Sequence, residues 1–83
     1  MLVRYFGAAK AATGVGEERL PGGRTLDAVL DELRARRSSP GAPSLATVLD
    51  RSSFLLNEVA LRDTSTVIGD GDVLDVLPPF AGG

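Results

Sequence analysis

Thr25-Leu26-Asp27-Ala28-Val29-Leu30-Asp31-Glu32-Leu33-Arg34-Ala35-Arg36-Arg37 (residues 25–37) is the stretch on which the fold turns. Leu26, Val29, Leu30 and Leu33 recur at i, i+3, i+4 and i+7, which draws one apolar stripe along a helix. Thr25 is a good N-cap, and Asp27 lies in the first turn, where the helix dipole favours negative charge. Arg34, Arg36 and Arg37 crowd the other end, where positive charge is favoured. One amphipathic helix has one stripe to bury and needs a second layer to bury it against.

That layer is written on both sides of the helix. Leu2-Val3-Arg4-Tyr5-Phe6 reads as a strand, with Val3/Tyr5 on one face and Leu2/Arg4/Phe6 on the other. Ala8–Thr13 has helical composition but is short, so one turn stopped by Gly14 is expected. Glu17-Glu18-Arg19-Leu20 suits a polar edge strand ended by Pro21-Gly22-Gly23. Beyond the helix, Ser38–Pro43 is a loop, and Ser44 can cap a short turn carrying Leu45, Val48 and Leu49. Phe54-Leu55-Leu56-Asn57 is a strand, continued by Val59-Ala60-Leu61 past a turn at Asn57-Glu58. Ile68–Asp72 reads as a turn leading into the strand Val73–Leu77, which Pro78-Pro79 ends because proline cannot donate to a ladder. The predicted fold class is α+β, a mixed sheet of four to five strands with one main helix packed on one face.

Length and composition limit what such a chain can do. Its 83 residues make one small domain. Surface scaling gives about 4,700 Å² folded against about 12,500 Å² unfolded, enough for one thin core. Nine basic and eleven acidic residues give a net charge of −2 without a basic stripe, which disfavours nucleic acid as a partner. There is no cysteine and no histidine. Disulfides, thiol nucleophiles, Cys/His zinc sites and histidine acid–base catalysis are therefore excluded. No apolar run approaches the roughly 20 residues that span a bilayer, and the start does not read as a signal peptide, so a cytoplasmic protein with no membrane contact is expected.

Other constellations read as structure. Glu17 and Glu18 are adjacent acids, expected as a solvated edge. Asp70 and Asp72 flank Gly71 but lack the further ligands of a calcium loop, so no metal site is expected. The C-terminal arginines suit a solvated helix end.

The last residues differ. Pro78-Pro79-Phe80-Ala81-Gly82-Gly83 leaves a strand through a stiff extended segment and ends in residues without side chains. Two glycines in two given positions arise by chance in about 0.5% of chains at average glycine usage. Such a tail can enter a narrow channel in another protein. Its chemical group is the Gly83 α-carboxylate, ionised at neutral pH with a reference pKa near about 3.5. A partner must activate that anion before it reacts, and acyl-adenylate formation from ATP is the natural route.

The sequence resembles the ubiquitin-like sulfur carriers, most closely the small subunit of molybdopterin synthase. The resemblance is carried by Val3-Arg4-Tyr5-Phe6-Gly7-Ala8-Ala9-Lys10, Thr25-Leu26, Leu56-Asn57, Asp70-Gly71-Asp72-Val73 and Leu77-Pro78-Pro79-Phe80-Ala81-Gly82-Gly83. Thiamine-pathway carriers share the terminal Gly-Gly but tend to be shorter and lack the Pro-Pro run. The resemblance implies a β-grasp domain over residues 1–77 and an extended tail over 78–83. It implies that an adenylyltransferase related to ubiquitin activators adenylates Gly83 with ATP, and that a sulfur-transfer protein converts it to a thiocarboxylate. The tail, Pro78 to Gly82, then inserts into the large subunit, where sulfur passes to a pterin precursor during molybdenum cofactor biosynthesis. The chain would bind no cofactor and would act as a non-catalytic subunit that supplies a reagent.

Face assignment completes the expectations. Val3, Tyr5, Leu74 and Val76 should face the helix, and Arg4, Phe6, Asp75 and Leu77 the open side. In a β-grasp sheet the first and last strands are neighbours, which brings Phe6 to Leu77 and offers Arg4 and Asp75 as a pair. Phe6 and Leu77, joined by Leu61, are the expected partner-binding residues, with Phe80 as an anchor on the tail. Two other uses fit the same terminus: a sulfur carrier for thiamine, cysteine, a thiosugar or tRNA, and a protein modifier. Lys10 is the only lysine, so branched polymers could form through few amines.

Overall fold

The computed structural model describes residues 1–38 and 40–79. Ten elements follow in order: β1 Leu2–Tyr5, α1 Gly7–Thr13, β2 Glu17–Arg19, β3 Arg24–Thr25, α2 Leu26–Arg34, α3 Leu45–Arg51, β4 Ser53–Leu56, β5 Val59–Ala60, β6 Val67–Ile68 and β7 Val73–Leu77. Five strands form one mixed sheet in the order β2-β1-β7-β4-β5, and β3 pairs with β6 in a separate ribbon. β1 and β7 run parallel, with Val3 opposite Leu74 and Tyr5 opposite Val76. The sheet's other pairings are antiparallel.

The core lies between the sheet and the helices. Val3, Tyr5, Leu74 and Val76 rise from the sheet and are fully or almost fully buried. They meet Leu26, Val29, Leu30 and Leu33 of α2, the stripe read from the sequence. Thr25 caps α2 by accepting a hydrogen bond from the Ala28 amide at 3.2 Å. Truncating one such buried leucine to alanine typically costs about 2–5 kcal/mol.

The helical layer is richer than one main helix. α1 turns Ala9 and Ala12 inward, and α3 turns in Leu45, Val48 and Leu49. The alanines of α1 are buried through small size rather than hydrophobic bulk, so their spacing carries little signal. α3 is a true helix, but Ser44 does not cap it with its side chain. Ser38 Oγ instead accepts from the Leu45 amide at 2.7 Å, reaching across the loop. Ile68, expected to open a turn, instead joins Val67 in β6 and pairs with the residues that lead into α2.

Two loops show why particular residues are needed. A Cβ on Gly22 would collide with the backbone of Gly69 and Asp70, whose side chain accepts from the Gly22 amide at 2.8 Å. Asn57 and Glu58 form a two-residue hairpin turn with φ of 50° and 70°. That is the left-handed pair a tight hairpin demands, and a glutamate there is strained. Asn57 offsets part of the cost by accepting from the Val73 amide at 2.9 Å and donating to Asp72 at 3.0 Å.

α2 ends three residues before Arg37, and Arg36 leaves the helix axis to grip Glu18 through both carboxylate oxygens at 2.8 and 2.6 Å. Glu18 is opposite Val3, so it points to the helix side of β2 and also accepts from Tyr5 Oη at 2.7 Å. The expected solvated edge therefore holds only for Glu17; Glu18 ties the edge strand to the end of α2. Burial would push the Glu18 carboxyl up, but hydrogen bonds from Arg36 and Tyr5 outweigh it and hold it below its ordinary value. Burial and the same carboxylate push the Tyr5 phenol well above the usual range. A depressed carboxyl stabilises the fold above its unfolded pKa of about 4.3 and loses that contribution as pH falls through the lower folded value. Glu18→Gln should therefore cost about 1–2 kcal/mol at pH 7, with the difference from wild type shrinking below about pH 4 in urea melts.

Candidate functional site

The open face of the sheet is built by alternation. With Val3 and Tyr5 turned to the helices, Leu2 and Arg4 turn the other way. With Leu74 and Val76 inward, Val73, Asp75 and Leu77 share that outer side. Register brings Leu55 opposite Asp75 and Ser53 opposite Leu77. An apolar field of Leu2, Leu55, Val73 and Leu77 thus surrounds one ion pair on the strands at the centre of the sheet.

That pair is Arg4 and Asp75, directly opposite one another in the parallel ladder. Arg4 Nε donates to Asp75 Oδ1 at 2.6 Å and Nη2 to Oδ2 at 2.8 Å, a two-pronged contact. Asp75 is only 4% exposed, whereas Arg4 stays partly in solvent. The hydrogen bond from Arg4 to Asp75, then their charge attraction, raises the arginine further above its already high value. The pair keeps a buried carboxylate satisfied under an apolar surface, which an unpaired aspartate could not do.

Phe6 follows β1 rather than ending it. Its amide donates to the Val76 carbonyl at 3.3 Å, and its backbone opens α1 as the N-cap residue. The residue is 43% exposed, one of four large apolar residues left so open among the described residues. Leu77 is half-buried at the end of β7. Both expected docking residues are therefore placed at the C-terminal end of the β1–β7 pair, where the tail departs.

Leu61 is placed elsewhere. The two-residue turn sets Val59 opposite Leu56 and Ala60 opposite Leu55, so Leu61 follows opposite Phe54, whose carbonyl accepts from its amide at 2.9 Å. Leu61 packs with Phe54 and Leu56 against the core on the helix side. The physical reason is the period of two: a turn one residue longer would have sent Leu61 to the open face. Leu55 and Ala60 take the place expected for it. Leu55 was hidden in the run Phe54-Leu55-Leu56, whose unbroken hydrophobicity masks alternation.

Of the tail, Pro78 is half-buried and Pro79 exposed. Phe80, Ala81, Gly82 and Gly83 lie outside the described residues. Among the described residues no group of three or more acidic side chains is arranged to hold a metal, and no helix is long and apolar enough to cross a membrane.

A model of the ThiS family matches residues 3–83. The chain belongs to the ThiS family. No match was found among curated proteins. Among solved structures, the ThiS-family chain is similar to a chain in the complex of subunits 1 and 2 of molybdopterin-converting factor from Helicobacter pylori. The two are 26% identical over 99% of this chain and 96% of that one, with a TM-score of 0.71. It is similar to the HVO 2177 protein of Haloferax volcanii, 28% identical over 99% of this chain and 84% of that one, with a TM-score of 0.72. SAMP1 of the same organism shares the fold at 22% identity and a TM-score of 0.66, over 100% of this chain and 98% of that one. The five-stranded sheet with helices on one face is thus the β-grasp architecture, and the chain is a sulfur carrier or ubiquitin-like protein of this family.

The ion pair on the open face gives a thermodynamic test. Arg4→Ala strands a buried carboxylate, whereas removing both partners leaves none. Thermal melts should show Arg4→Ala less stable than the Arg4→Ala/Asp75→Ala double variant; equal or reversed midpoints would mean that Asp75 does not depend on Arg4.

Proposed function

We propose that this ThiS-family chain is the sulfur-carrying small subunit of a molybdopterin synthase. The observation that carries the reading is the seating of β7: it is the central strand of the sheet and the last before Pro78-Pro79, and it lies beside an apolar face of Phe6, Leu55 and Leu77. Similarity to a chain of the Helicobacter pylori complex of subunits 1 and 2 supports a large-subunit partner. The chain has neither cysteine nor histidine, so a sulfur atom carried covalently has the terminus as its natural seat.

The chemistry then runs through Gly83. Its carboxylate attacks the α-phosphorus of ATP within an adenylating partner, giving the acyl adenylate and pyrophosphate. Sulfide from a sulfur-transfer protein attacks the acyl carbon, expels AMP and leaves a thiocarboxylate. The thiocarboxylate is delivered through Pro78–Gly82 into the large subunit, which supplies the pocket for the pterin precursor. The domain contributes docking and presentation, and these steps suit a cytoplasmic setting where ATP and sulfide donors meet.

Intact mass spectrometry tests the reading. Incubated with ATP, the adenylating partner and sulfide, the chain should gain the mass of one oxygen-to-sulfur exchange, and a Gly83-deleted chain should not. Phe6→Arg and Leu77→Arg should keep the melting midpoint within a few degrees yet weaken binding to the large subunit by about 30-fold, or about 2 kcal/mol. No mass gain with cognate partners, or only amide-linked adducts, would overturn the carrier reading. Unchanged binding by both arginine variants would overturn the docking face.

A further inference from the structure

The open sheet face is one side of the tail's root. On the other side, Ala8 of α1, Pro43 and Val48 on and before α3, and Pro78 and Pro79 line an apolar groove of about 210 Å³. Arg51, the last residue of α3, is its one charged wall. Four arginines elsewhere are engaged: Arg4 with Asp75, Arg24 with Glu32, Arg34 with Asp31 and Asp50, and Arg36 with Glu18. Arg51 is exposed and, among the described residues, enters no ion pair; its neighbour Asp50 is taken by Arg34.

Size narrows the occupant. Small-molecule sites run from about 300 Å³ upward, so this groove suits one or two side chains of a peptide better than a free metabolite. Charge narrows it further, since an unengaged guanidinium beside an apolar floor favours a carboxylate next to an apolar side chain. Position supplies the third constraint. Pro78 and Pro79 are both the groove wall and the first residues of the tail, so a protein that takes in the tail must pass along this groove.

We propose that the groove is a second docking site, occupied by an apolar side chain flanked by an Asp or Glu on the protein that receives the tail, its carboxylate pairing with Arg51. The inference rests on the carrier reading and adds a contact on the opposite side of the tail from Phe6 and Leu77. The tail's root is then gripped from both faces, which fixes the direction in which it enters the partner.

The test compares full-length wild type, Arg51→Glu, Arg51→Lys, Ala8→Glu and Phe6→Arg for binding to the cognate adenylating enzyme and to the cognate large subunit by calorimetry. At low salt, about 0.05 M, Arg51→Glu and Ala8→Glu should weaken the large-subunit complex about five- to tenfold, and Arg51→Lys should retain most of the affinity. The salt dependence of that complex should flatten in Arg51→Glu. If Arg51→Glu and Ala8→Glu bind the large subunit as wild type does while Phe6→Arg does not, the groove proposal falls and the carrier reading stands. If wild type binds neither protein, the carrier reading falls and takes the groove with it.

Discussion

Parallel pairing of β1 with β7 is the constraint on which the rest depends. It joins the first strand of the chain to the last, so every other element must be placed in the crossover between them. Parallel neighbours need such a long connection, usually helical. Here the crossover supplies the three helices that cover one face, and the other face is left without a helical cover. The same pairing puts the final strand at the centre of the sheet, bonded to β1 on one side and β4 on the other. The tail therefore leaves from a firmly held strand.

The division of labour between the two faces follows from this. Leu26, Val29, Leu30 and Leu33 are buried against the sheet and close the core on the helix side. The open side keeps its apolar residues only half covered, with Arg4 and Asp75 answering each other beneath them. Half-covered apolar surface around a satisfied ion pair is what a protein interface requires of its core: hydrophobic area without an uncompensated charge. Under the proposed function, a domain without cysteine or histidine serves chemistry by presenting a terminus to a partner that owns the pocket.

Much of the architecture was legible because its signals are periodic. The stripe from Leu26 to Leu33 declared the main helix, and alternation at Val3/Tyr5 and Leu74/Val76 assigned the faces. Pairing of Arg4 with Asp75 followed from the same alternation once the two strands were neighbours. What escaped was set by tertiary context. α1 buries only alanines, and β6 is a two-residue strand formed because the segment before α2 lies beside it. Glu18 looked like a solvent acid until Tyr5 and Arg36, distant in sequence, converged on it. Leu61 was misplaced because its face depends on the length of one turn, and a single residue reverses the outcome. The groove at Arg51 had no sequence signature, since it joins α1, α3 and the tail's root only in three dimensions.

The central claim of the proposed function is that the chain hands over sulfur through its terminus. The most direct test is a single-turnover transfer with the chain carrying a ³⁵S-labelled thiocarboxylate, mixed with the large subunit and the pterin precursor. The account predicts that label moves into the pterin and the chain returns intact with a Gly83 carboxylate. Label that stays on the chain, or a chain that ends amide-bonded to another protein, would contradict it.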